Sequence, residues 1–108
     1  MRYHHLGIPT TTPQEGEVHV PHLGFHCTDH ERNPLGIQWM RFDPDCTLPE
    51  LVQTVPHVAF AVDDLEAALV GHEVIIPPNS PSPGVRVAFV RCDGAPVEFL
   101  AFAGGDGE

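Results

Sequence analysis

Between Val85 and Phe102 the chain reads VRVAFVRCDGAPVEFLAF, and no other segment narrows its folding options as far. Val85 to Arg91 alternates as a strand does, Asp93-Gly94 supplies the residues a tight turn needs, and Pro96 to Phe102 is the hairpin partner. A chain built around this segment must form a sheet.

The residues just before it extend the pattern. Pro56 to Val62 (PHVAFAV) is a β-branched and aromatic run that predicts a strand. DDLEAALVG follows: Asp63 or Asp64 is the expected N-cap, Leu65, Ala68 and Leu69 form an apolar stripe, and Gly71 stops the helix. HEVIIPP then reads as a short strand closed by Pro77 and Pro78, and NSPSPG as a loop. The second half is therefore expected to run strand, helix, strand, strand, strand.

The first half echoes this order. HHLGIPTTTP can be laid over PHVAFAVDDL with His5 on His57, and LGIQWMRFD over APVEFLAFA with Gln38 on Glu98. The span from His5 to Gln38 is shorter than that from His57 to Glu98. TTTPQEGEVHVPHLG between them has prolines and glycines and no apolar stripe at helical spacing, so the element missing from the first half is expected to be most of a helix. Asp43 to Glu50 (DPDCTLPE) reads as the linker between halves, with Leu51 to Thr54 leading into the next strand. The tail AGGDGE has glycines with no strand and helix around them, and reads as a frayed end and not a phosphate loop.

Composition excludes several partner classes. The 108 residues suit a single domain, and 42% hydrophobic content is enough to fold without disulfides. Acidic residues outnumber basic ones 15 to 5, and protonating all eight histidines would still leave the chain net negative. Nucleic acid and anionic membrane surfaces are therefore not expected partners. The first residues carry no apolar signal-like core, no run approaches a membrane span, and Cys27, Cys46 and Cys92 share no CxxC spacing. The expectation is a cytoplasmic protein with reduced thiols.

HHLGIPT, GIQWMRF, VPHVAFAVDDLEAAL and VRVAFVRCDGAPVEFLAF together resemble the vicinal oxygen chelate superfamily, which includes glyoxalase I, methylmalonyl-CoA epimerase, extradiol dioxygenases and bleomycin resistance proteins. The resemblance implies an α+β fold of two βαβββ modules whose curved mixed sheet forms an open cup. Residues 1–108 would make one glyoxalase-like domain, with a truncated first module over about 1–48 and a second over about 49–108. It further implies that His5, Gln38, His57 and Glu98 surround one divalent ion: Zn²⁺, Mn²⁺, Ni²⁺, Co²⁺ or Fe²⁺.

Strand alternation bears on the same residues. Glu98 shares its face with Leu100 and Phe102, and a carboxylate in so apolar a strand needs a partner. His57 has the small Ala59 and Ala61 on its own face, leaving space beside the ring. A hydrogen-bonded core pair of His57 and Glu98 would satisfy the same alternation, and His4 would replace His5 if the register slipped by one. Met40, Phe42, Leu100 and Phe102 are expected to wall the pocket. Arg86, which shares a face with Ala88 and Val90, is either a clamp for a substrate carboxylate or phosphate or an exposed cation on the sheet. His19, His22, His26 and His30 invite a second metal reading, but Pro21 and Gly24 argue against a helix that would align them. Solvent-facing or pocket-lining histidines are the preferred account.

The resemblance implies two alternative functions. One is a small metal-dependent lyase or isomerase that acts on vicinal oxygens through an enediolate or enolate, with Glu98 as its single base, since an amide such as Gln38 does not titrate. The two-histidine, one-carboxylate set also matches Fe(II) dioxygenases. The other is a metal-free binding protein of the bleomycin-resistance type that sequesters a small molecule. A shortened module would expose apolar sheet, so a homodimer is expected.

Overall fold

The computed structural model describes residues 1–103; the reading of the tail AGGDGE falls almost entirely outside them. Eight strands form one mixed sheet: β1 (Arg2–Pro9), β2 (Val18–Val20), β3 (Phe25–Cys27), β4 (Ile37–Phe42), β5 (His57–Ala61), β6 (Glu73–Ser82), β7 (Val85–Cys92) and β8 (Ala95–Phe102). Two helices accompany them, α1 (Glu50–Thr54) and α2 (Leu65–Leu69), with a single 3-10 turn at His30–Arg32. The architecture is an α+β open cup made by a curled sheet with the strand order β2-β3-β4-β1-β5-β8-β7-β6. β1 runs parallel to β4 and β5 parallel to β8, while β1 and β5 pair antiparallel at the centre.

Local chemistry explains the second half. Asp64 caps α2 by accepting from the Ala67 amide at 3.1 Å, and Gly71, at φ +82°, ends it with a left-handed residue that a side chain would disfavour. The helix lays Leu65 onto Val62, Ala88, Val90 and Phe99, with Ala68 and Leu69 at the margin of this cluster. Asp93 and Gly94 turn the β7–β8 hairpin, both at positive φ, as a tight hairpin turn of this kind requires. The other face of the sheet carries a smaller cluster of Ala59, Val87 and Leu100, edged by Val85 and Phe102.

Two elements differ from expectation. β6 does not stop at Pro77 and Pro78 but continues through NSPS to Ser82. It is an edge strand whose register against β7 slips three times, so prolines with no amide to donate are tolerated there. Leu51 to Thr54, which leads into β5, belongs to α1, a helix too short to show a period. Val52 is buried beneath it, and the Gln53 side chain donates to the Leu48 carbonyl at 2.8 Å, fastening the linker. In the first half, no helix among the described residues stands between β1 and β2. No helix among them is long and apolar enough to cross a membrane.

Because α2 is short, its stability comes from packing and its cap. Leu65→Ala is expected to lower the unfolding free energy by about 2–5 kcal/mol, and Asp64→Ala by about 1 kcal/mol. Urea denaturation followed through the single Trp39 measures both.

Candidate metal centre

The central strand pairs place the chemistry. Ala59 on β5 lies opposite His5 on β1 and opposite Glu98 on β8. Those outer strands are two strand spacings apart, about 10 Å, and a side chain larger than a methyl group at position 59 would stand between their residues. Over Ala59 the His5 Nε2 and Glu98 Oε1 atoms come to 3.2 Å. His57, two residues before Ala59 and on the same face, brings its Nε2 to 3.1 Å from the same oxygen. All three are buried, His5 at 5%, His57 at 1% and Glu98 at 8% exposure.

Gly7 makes room for this. It pairs with His57, and a Cβ on it would lie 2.1 Å from the His57 ring. Glycine inside a strand commonly marks such a close approach. Phe89, the cross-strand partner of Glu98, also packs against this ring, at 5.0 Å between ring centres.

A β-bulge lies between Tyr3 and His5, and it is His5, not His4, that meets Glu98. His5 faces Glu98, while the Nδ1 atoms of His4 and His5 approach to 2.7 Å. The ring of His30 lies 4.4 Å from that of His4.

Burial works to raise the Glu98 pKa, but the hydrogen bonds from His5 and His57, with the positive charge those rings can carry, prevail and lower it to about 2. The carboxylate is therefore held ionised within an apolar surround. His57 Nδ1 is buried with no hydrogen-bond partner among the described residues.

These atoms can hold an ion. Donors bound at about 2.0–2.2 Å with angles between 90° and tetrahedral lie about 2.9–3.5 Å apart, and the contacts of 3.1 and 3.2 Å fall in that range. Gln38 shares the face, in register with Gly7, so the row runs Gln38, Gly7, His57. No hydrogen bond links its amide to the three buried groups.

Met40 and Phe42 continue the Gln38 face and Leu100 and Phe102 the Glu98 face, as the alternation predicts. Arg86 is not brought to the cluster. It lies on the face covered by α2, paired with Ala101 in the sheet, where its guanidinium bonds the Glu66 carboxylate at the surface. Its alternation with Ala88 and Val90 was legible, but which face the helix would cover was not. Gly7, Phe89 and the bulge were not read from the sequence as parts of the site, and only the glycine inside HHLGIP carried a signal. Neither of two surface cavities, of about 260 and 330 Å³, is lined by the buried three; His4, which contacts His5, lines the first.

The ionised carboxylate gives a pH dependence. Its folded-state pKa, about 2, lies below the ordinary 4.5, so its contribution is complete above 4.5 and is lost as pH falls from there towards 2. The difference corresponds to about 3 kcal/mol. Acid titration of the metal-free protein, followed by urea midpoints, is expected to show this loss, and Glu98→Gln to flatten that limb.

No protein-family model and no curated protein matches the chain. Among solved structures it is similar to the crystal structure of a hypothetical protein from Bacillus halodurans C-125. The two share 17% sequence identity at a TM-score of 0.66, over 99% of this chain and 98% of that one. The likeness is one of fold.

Proposed function

We propose that this is a glyoxalase-like metal protein in which His5, His57, Glu98 and Gln38 hold one divalent ion, and that it acts as a small lyase or isomerase on a substrate with vicinal oxygens. The observation that carries this reading is the convergence of His5 Nε2, His57 Nε2 and Glu98 Oε1 at ligand-to-ligand distances within a buried apolar surround. The two-module reading is supported by the registers. Gly7, two residues after His5, faces Gln38; Ala59, two residues after His57, faces Glu98. Gln38 thus holds in the first half the position Glu98 holds in the second.

When bound, a divalent ion supplies Lewis-acid polarisation of neighbouring substrate oxygens. Glu98 alternates between ligand and proton acceptor: both imidazoles meet its Oε1, which leaves Oε2 for the proton. Gln38 orients without titrating, so the chemistry has one base. Met40, Phe42, Leu100 and Phe102 keep water from the reacting atoms. The same triad suits Fe²⁺ oxygenase chemistry, so iron belongs among the metals tested.

One observation favours the second reading, a metal-free cup that sequesters a small molecule: the Glu98 carboxylate already has hydrogen-bond partners in His5 and His57. The absence of a helix over the first half supports a homodimer, since Ile8, Ile37 and Trp39 there are only half-buried. Three unpaired thiols fit a reducing, cytoplasmic setting.

Elemental analysis after mild dialysis tests the function. The parent is expected to hold one equivalent more of Zn²⁺, Mn²⁺, Ni²⁺, Co²⁺ or Fe²⁺ than a folded His57→Ala, Glu98→Ala double variant; equal contents would overturn the enzyme reading and leave the binding cup. Sedimentation is expected to give twice the 11.8 kDa chain mass, and particles of the single-chain mass alone would overturn the dimer.

A further inference from the structure

We infer that His19, His26 and Asp43 form a second cation site, on the outer face of the sheet, for a borderline transition metal of the Zn²⁺ class. Of the four histidines in HVPHLGFHCTDH, the fold brings two to one carboxylate. His19 on β2 and His26 on β3 are direct cross-strand partners, and Asp43 follows the end of β4. Its amide donates to the Gly24 carbonyl at 2.8 Å, which holds the end of β4 against the β2–β3 turn.

The donor atoms converge. His19 Nε2 lies 2.9 Å from Asp43 Oδ2, and His26 Nδ1 lies 3.3 Å from Asp43 Oδ1. The two rings stack at 4.1 Å and 13°, so a shared ion requires the exposed His19 ring to turn out of the stack towards His26 and Asp43. These distances fall in the same range, about 2.9–3.5 Å, that donors around one ion require.

Hydrogen bonding alone accounts for only half of the cluster. The His19 contact is a hydrogen bond, but His26 Nδ1 is enclosed by protein and, despite its distance from Asp43, finds no hydrogen-bond partner among the described residues. A buried nitrogen without a partner is costly, and an ion shared with His19 and Asp43 would use it. Two imidazoles and one carboxylate select Zn²⁺, Ni²⁺ or Cu²⁺ over Ca²⁺ or Mg²⁺. His19 is 46% exposed at its side chain, so the remaining coordination positions are open to water. Arg41, the cross-strand neighbour of His26, does not oppose a cation because its guanidinium is paired with Glu17.

This site is independent of the buried one. Arg41 alternates with Met40 and Phe42 along β4, so His26 and His19 lie on the face opposite Gln38 and the buried three. An ion here would tie two three-residue strands at the sheet edge to the end of β4, where chain pairing alone is weak.

The test uses Zn²⁺ alone, added to the intact His57→Ala, Glu98→Ala chain, with calorimetry for stoichiometry and NMR for the imidazole resonances. One equivalent is expected to bind, to shift the His19 and His26 resonances and to raise the melting temperature. His19→Ala, an exposed change that should not disturb folding, and Asp43→Asn should each abolish this event, while His22→Ala should leave it intact. Uptake that survives His19→Ala and Asp43→Asn, unshifted His19 and His26 resonances, or no Zn²⁺ uptake at all would overturn the inference. The outcome does not depend on whether the buried triad binds metal.

Discussion

The antiparallel pairing of β1 with β5 is the constraint on which the rest depends. It is the seam between the two halves of the sheet, and its register sets Gly7 against His57 and His5 against Ala59. A slip of one residue would turn His5 to the other face and drive a side chain into the His57 ring. The bulge at His4 shifts the register by one residue and sets a second imidazole beside the first. One backbone pairing thus decides both how the halves join and which groups meet.

The seam also resolves an electrostatic conflict. A carboxylate on β8, among Leu100, Phe99 and Val97, would be destabilising alone. Two imidazole nitrogens on one of its oxygens reverse the effect, and Glu98 is held ionised although burial works to raise its pKa. The carboxylate is hydrogen-bonded as it stands, yet the spacing is also that of donors around an ion. The same buried polar cluster can therefore serve stability without metal and ligation with it.

Much of the second half could be read directly because its signals are local. The Asp93-Gly94 turn, the Asp64 cap and the alternation of β7 and β8 depend on neighbours in the chain. β6 was cut short at Pro77 because a proline penalty applies to central strands, and only the sheet order reveals an edge. α1 was missed because five residues carry no period. His19 is solvent-facing as expected, but excluding a helix left its pairing with His26 unread. Their convergence needs a hairpin, and the carboxylate that completes the cluster lies beyond a third strand.

The sequence by itself determined the sheet-dominated fold, the alternation that sorts Glu98, Leu100 and Phe102 from Phe99 and Ala101, and the shortened first half without a helix after β1. These follow from period, turn residues and caps, which act over a few residues. Only the tertiary structure decided that Arg86 faces outward to Glu66, that His5 and not His4 meets Glu98, and that Gly7 clears the space for His57. Each of these rests on register between strands distant in the chain, a long-range choice made by packing and by the pairing of buried polar groups.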